Sequence, residues 1–394
     1  MAVKTVSGSM AGLYKQIPDT ISLPPKWLGM YEDFITKNAS SVSQIESALR
    51  SLTYIIPGRF RESELASETL HSSVQLLSLY HDSLLSRAFS RLPTSLSRPT
   101  PTPHNRYTKF FCTRSPFYKR TALLLQTLQY TELLLEMAAK RKGEQLRWRV
   151  VVLLEMVKAM CRLILMRITN SRPLVSPPLP EREVDPRGPE GGREGDSGDW
   201  NGMQTPPAVR DINAPWMMPR TGLSLPTLPS TEDVTSYLLS KVLTADDIKP
   251  PTALLHRITS LQGQFAESLY ILRPVLYALA MQRWARGNKR DWRPWMIGVL
   301  VEISARELAK KDLAERVAGG LRGLTGLERE EFKRRGWGLG WWVMRGAFYE
   351  NVTKSWIHGL TGSLRGKPLL DMLGGVIEDY DYLWDEYYFS TATM

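Results

Sequence analysis

Cysteine is almost absent: Cys112 and Cys161 are the only two in 394 residues. Two thiols cannot build a disulfide framework or a thiolate zinc site, and such sparse use points to a reducing compartment. Histidine is nearly as rare. His71, His81, His104, His256 and His358 each stand alone, which argues against clustered imidazole ligands. No HExxH, CxxC, GxSxG or acidic calcium loop occurs. The segment GSLRGKP at 362–368 imitates a phosphate loop, but three residues rather than four separate its glycines and Pro368 has no hydroxyl for a metal. Gly336, Gly338 and Gly340 make an equally weak dinucleotide look-alike with no strand before them, and read as a glycine-rich helix start. The chain therefore reads as a non-enzyme without a cofactor.

Long uncharged runs are missing as well. The longest stretch free of Asp, Glu, Lys and Arg, residues 69–81, holds 13 residues, against the roughly 18–20 that a spanning helix needs. A conventional transmembrane helix is excluded, while a helix lying in the membrane surface is not. Residues 1–26 show neither a secretory apolar core nor an Arg-rich transit pattern and read as a flexible tail, and the end TATM is no receptor-read address. Period-two alternation and Asn-Gly hairpin signals are lacking, which excludes a sheet.

What is present is an apolar fraction of 43% with 9% aromatics, enough for a core, and a net charge of +11. Prolines and glycines concentrate in two places. Residues 171–230 contain 12 Pro and 7 Gly, so 173–235 reads as a disordered linker; 93–116, with Pro99, Pro101 and Pro103, reads as a shorter extended one. The segments between them read as helices, and the fold class is all-α: a membrane-associated bundle of long apolar helices interrupted by a disordered central linker. Residues 27–92 form a helical hairpin, in which Ser43 and Glu46 look like a capping box and Pro57-Gly58 ends the first helix. Leu70, Val74, Leu77, Leu84 and Ala88 share one face of the second. Residues 117–172 form a second hairpin, about 120–142 and 146–168. Gln129, Glu132, Glu136 and Lys140 make one polar stripe and Glu155, Lys158 and Arg162 the other, so that Glu132 meets Lys158 when the pair folds back. Residues 236–390 are helical, with Pro274 kinking or breaking a helix over 260–286, another over 294–311, and a tail at −5 from residue 367 while the rest is at +16.

The charge has two readings. Residues 140–172 carry nine bases and two acids, and 283–293 five and one. With Trp148, Trp284, Trp292 and Trp295 nearby, such patches suit a nucleic-acid adaptor. Flanking helices that are otherwise apolar, they suit anionic lipid headgroups better, with Lys140, Arg141, Lys142, Arg147, Trp148, Arg149, Arg286, Arg290 and Arg293 at the interface and no nucleic acid expected. A lipid-handling protein at the membrane surface is a further alternative. For residues 150–168, insertion of Leu, Ile and Val contributes roughly −3 to −6 kcal/mol while three central charges cost about 8–10 kcal/mol. The helix alone does not span: it enters as a charge-paired hairpin, lies flat, or packs in a protein core.

Several strings carry a resemblance. SLTYIIPGRF at 51–60, AESLYILRPVLYAL at 266–279, DWRPW at 291–295, LEREEFKRR at 327–335 and the closing LLDML with Tyr387-Tyr388-Phe389-Ser390 together resemble the peroxin sixteen family of peroxisomal membrane biogenesis proteins. The resemblance implies a non-enzymatic factor on peroxisomal and endoplasmic reticulum membranes that helps membrane proteins reach the bilayer, with peroxin three and peroxin nineteen as partners. It also marks Tyr54, Gly58, Arg59 and Phe60, where a helix end with packing competes with a partner site. Tyr270, Arg273 and Pro274 match next, with Arg273 in need of a carboxylate or a headgroup. Trp292, Pro294 and Trp295 form either an interfacial turn or core.

Overall fold

In the computed structural model the described residues are 29–31, 34–35, 38–59, 64–91, 101–182, 245–285, 289–316, 320–364, 377, 380–381 and 383–392. The chain divides into two compact units, one of residues 1–187 with 251–394 and one of 188–250. Of the second, only a single turn, Ala245–Ile248, and the two residues after it are described. Among the described residues the secondary structure is helical, with no strand.

In the larger unit α1 (Ala39–Arg59) and α2 (Glu64–Arg91) form the expected first hairpin. Because α1 begins at Ala39, Ser43 lies inside the helix and Glu46 does not cap it. Glu46 is buried instead, accepting from Ser78 Oγ at 2.8 Å and from Arg182 at 2.8 Å, and bonding the His81 ring. The apolar face expected on α2 is split: Val74 and Leu84 are buried, while Leu70 and Leu77 face outward. Ser67, Ser72, Ser78 and His81 take the inner positions, where partners exist for them, as Ser72 Oγ shows by donating to the Tyr130 carbonyl at 2.9 Å.

Two expected linkers are structured where they are described. Pro103–Arg114 is a helix, α3, and Pro116–Lys142 is α4. Thr102 caps the first and Ser115 the second, with Pro103 and Pro116 in the opening turns. A first-turn N–H needs no intrahelical acceptor, so proline costs nothing there. Residues 171–182, the start of the expected disordered segment, form an ordered strap. Its carbonyls accept from Tyr118 Oη, through Pro178 at 3.0 Å, and from Asn105 Nδ2, through Glu181 at 3.1 Å; the Glu181 N–H returns to Asn105 Oδ1 at 2.8 Å. Residues 183–235 of that call lie outside the described residues.

α4 and α5 (Glu144–Ile168) are joined at Gly143, whose φ of +134° suits glycine. α6 (Leu261–Ala280) runs through Pro274 without breaking and continues in a wider turn, Met281–Ala285. α7 (Trp292–Arg316) returns beside it, and α8 (Gly326–Gly340) follows a capping box of Thr325 and Glu328. Gly336, Gly338 and Gly340 thus end a helix rather than start one. Beyond a short turn, Trp341–Met344, the chain reaches α9 (Lys354–Leu364).

The helices α1, α2, α4, α5, α6 and α7 neighbour one another in that order. Over α5, α6 and α7 the inner side carries one aromatic cluster, in which Trp148 and Val151 of α5 and Tyr277 of α6 meet Trp295, Trp342, Tyr388 and Phe389. Trp342 and the residues 388–389 therefore cap one side of this layer.

Candidate functional site

The inner side of the layer holds a set of buried ion pairs. Lys158 Nζ binds Glu132 at 2.8 Å and Glu155 at 3.0 Å, so the expected cross-hairpin pair forms, with Lys158 and Glu155 almost fully buried. Burial pushes the Glu132 carboxyl up to about 7 against the pull of Lys158. Glu136, wholly buried, binds Arg147 at 2.8 Å and accepts the backbone N–H groups of Tyr388 and Phe389, each at 2.9 Å. Arg273 finds its carboxylate in Glu302 at 2.7 Å, both side chains buried, and Glu302 also takes the Trp342 indole N–H. Glu267 and Arg335 form a two-pronged pair at 2.7 Å on each oxygen. Burial would raise the Glu267 carboxyl, but Arg335 outweighs it and holds it below the usual range.

The outer side is apolar. With Ala159 of α5 against Ile271 and Val275 of α6, and the aromatic cluster on the inner side, the positions left outward follow the 3.6-residue repeat. On α4 these are Phe117, Leu124 and Leu135; on α5, Leu146, Leu153, Met156 and Met160; on α6, Leu261, Phe265, Leu272, Leu276 and Leu279; on α7, Met296, Leu300 and Ile303. Leu153 is 55% and Phe265 61% exposed. Exposed Arg120, Arg141, Lys142, Arg149, Arg167 and Arg293 lie among and beyond these stripes. None of the helices among the described residues is long and apolar enough to cross a membrane; of the expected polar stripes Glu136, Glu155, Lys158 and Arg162 are turned to the buried side, while other charges of the same helices, such as Arg120, Arg149 and Arg167, stay exposed.

The residues marked from sequence separate accordingly. Arg147 and Trp148 are buried, and a buried side chain reaches neither a headgroup nor a base; Trp148 packs edge-on against Tyr388. Lys140 is partly covered, paired with Glu386 and over the Tyr387 ring at 4.4 Å. Arg141, Lys142, Arg149, Arg290 and Arg293 are exposed; Arg286 lies outside the described residues. Tyr54, Gly58 and Arg59 fall in the last turns of α1, where only the backbone is described, and Phe60 lies outside. Tyr270 lies beneath the guanidiniums of both Arg273 and Arg335, at 4.8 and 4.4 Å. Pro274 gives its carbonyl to Tyr388 Oη at 3.3 Å. Residues 292–295 are the first turn of α7: Pro294 is buried, Trp295 donates to the Trp342 carbonyl at 2.9 Å and stacks on Phe348, and Trp292 is 39% exposed. Core packing thus accounts for two of the three.

Sequence reasoning missed the closing residues as a structural part. Tyr388 stacks on Tyr277 at 5.8 Å, and Lys158 lies 4.8 Å over the Phe389 ring. The YYFS string was visible; its acceptor, Glu136, lies about 250 residues earlier and gives no local signal.

A sequence model described as Peroxisomal membrane protein (Pex16) matches residues 29–386. The Peroxisomal membrane protein PEX16 of Schizosaccharomyces pombe is 26% identical over 346 residues, covering 84% of this chain and 90% of the relative. The Peroxisome biogenesis protein 16 of Arabidopsis thaliana is 24% identical over 366 residues, 87% and 94%. The Peroxisome biogenesis factor 16 of Dictyostelium discoideum is 30% identical over 146 residues, about a third of each chain. No solved structure matches. With the family match spanning nearly the whole described fold, the chain belongs to the Pex16 family of peroxisome biogenesis proteins, and its place is the peroxisomal membrane.

Proposed function

We propose that this protein is a non-enzymatic biogenesis factor that lies flat on the peroxisomal membrane and helps recruit or insert peroxisomal membrane proteins. The observation that carries the reading is the outward apolar stripe on four neighbouring helices, α4 to α7, interspersed with the exposed Arg120, Arg149, Arg167 and Arg293. Burying a dozen half-exposed Leu, Ile, Met and Phe side chains in the acyl boundary contributes on the order of 10 kcal/mol before the cost of positioning. Arginines among the stripes add about 1 kcal/mol each against anionic headgroups. A grip of this kind needs no spanning helix.

Peroxin three, implied as a partner by the family resemblance, is the protein this factor would recruit, at the peroxisome or by way of the endoplasmic reticulum, with peroxin nineteen as the cargo chaperone that docks on it. Two measurements test the reading. Alkaline carbonate washing of isolated peroxisomes releases the protein if the grip is peripheral; retention with the membrane pellet overturns the flat mode. Cells lacking the protein fail to place peroxin three on peroxisomes; normal placement overturns recruitment.

A further inference from the structure

The α1–α2 hairpin is packed apart from the helices that follow it. Among the described residues Ile35, Val42 and Leu85, with Tyr31 against them, form an apolar cluster that shares no residue with the clusters of the rest of the unit. Where the hairpin meets that rest, polar side chains bond across the seam. Ser72 Oγ donates to the Tyr130 carbonyl at 2.9 Å, and Arg182 of the strap reaches both helices, its Nε donating to Asp82 of α2 at 2.6 Å and its Nη2 to Glu46 of α1 at 2.8 Å. One guanidinium thus forks over two helices, a planar geometry that a lysine does not reproduce. The strap brings Arg182 there from the far side of the seam, because the N–H groups of Leu174, Ser176 and Glu181 are held by Glu267, Glu331 and Asn105. Between the two parts lies a cavity of about 380 Å³, with Glu46, Ser78 and Asp82 on one wall and Gln126, Tyr130 and Arg182 on the other. It has room for roughly a dozen waters. A hollow, polar seam gives up little apolar contact when it parts, so the fork carries a large share of what keeps it closed.

We propose that the α1–α2 hairpin is a movable arm which the Arg182 fork latches against α4 and the strap, so that undoing the fork opens the arm while the helices behind it stay folded. This goes beyond the membrane reading, which rests on α4 to α7. A thiol placed in the seam reads the opening. Leu79 lines the cavity from α2, and the native Cys161, buried in the cluster of Tyr107, Phe111 and Leu165, reports whether the rest of the unit loosens. The full chain carrying Leu79→Cys is treated with a dye-bearing maleimide bulkier than the cavity, and the label at each cysteine is followed by peptide mass spectrometry. Adding Arg182→Gln raises the rate at position 79 about tenfold, the loss of a charge-assisted contact, and leaves the rate at Cys161 unchanged. Arg182→Lys keeps the charge but only one of the two contacts, and gives a smaller rise. Asp82→Asn also gives a rise, from a side chain that is 31% exposed and whose change leaves the hairpin's own cluster intact. No rise in Arg182→Gln and Asp82→Asn overturns the latch, and equal rises at position 79 and Cys161 overturn the separate arm.

Discussion

The two sides of α5 depart from the usual distribution of side chains: four charges are buried and three large apolar side chains are exposed. Beside Trp148, Val151, Val152, Leu154 and Leu165 its inner side carries Arg147, Glu155, Lys158 and Arg162, all buried, while its outer side shows Leu153, Met156 and Met160 to the surroundings along with Arg149 and Arg167. A helix folding only against water does the reverse. Desolvating four charges is costly, and even well-paired they contribute little net stability. Had the outward leucines and methionines been placed inside, the same residues would make a cheaper core. The arrangement is therefore a poor solution for a protein surrounded by water and a good one where the outer side meets an apolar medium. The charges left on that outer side, Arg149 and Arg167, are both basic and suit anionic headgroups at the boundary.

Breaking the inner side has the largest expected effect. Glu302→Ala leaves Arg273 buried and without its carboxylate and frees the Trp342 indole N–H. The loss is about 3–5 kcal/mol in denaturant unfolding. Removing both charges, in Glu302→Leu with Arg273→Met, recovers most of it; no recovery would mean that the pair sets the geometry of the layer. Gly298→Ala comes next. A methyl group there would run into the Trp342 ring, which Glu302 and Tyr277 hold in place, and overpacking costs about 1–3 kcal/mol. A neutral outcome would show that α7 can slide away from the aromatic cluster.

These inner contacts also mark how far the sequence could be read. Three-residue and four-residue spacing placed Glu132 opposite Lys158, because an antiparallel pair about a single turn leaves little choice of register. The apolar setting of Arg273 demanded a counter-charge, although not the identity of Glu302. The all-α class followed from periodicity. The strap and α3 were illegible for a shared reason: proline in an opening turn and proline in an extended linker look alike until Thr102 and Ser115 are seen capping the helices. Trp148 beside Arg147 and Arg149 resembled a membrane belt, yet it packs inward, because the residue needed to cover it, Tyr388, comes from the far end of the chain.

On the outer side the contrast should sharpen. Leu153, Met156 and Met160 changed together to Glu remove apolar side chains that touch little, so unfolding stability shifts within about 0.5 kcal/mol per site. Membrane retention, by contrast, is lost, because three carboxylates enter the acyl boundary. Fractionation of cells expressing the triple variant reads this directly. A variant that stays on the membrane would move the grip to another face and end the comparison between the two sides of α5.

The smallest effect belongs to the rim, where Glu350 meets the acidic tail. A hydrogen bond to Asp385, together with burial and the Asp385 charge, raises the Glu350 carboxyl from its ordinary 4.5 to about 7, while Asp385 is held at about 2. Between pH 4.5 and 7 the folded protein binds the Glu350 proton more tightly than the unfolded chain does. Its contribution is therefore present at the acid end and fades as pH rises to 7. Lys289 and Lys354, at 3.1 and 3.2 Å from Asp385, surround the pair together with Asp381, which meets Tyr349 and, at 3.7 Å, His358. Glu350→Gln keeps a donor for Asp385 at every pH, so its melting temperature should fall less than that of the parent between pH 5 and 7. The slope is reduced and not abolished, because Glu132 and Glu68, also raised to about 7 by burial, titrate in the same window. Parallel profiles for variant and parent would mean that the rim carboxyls share no proton and that pH acts on the buried seam alone.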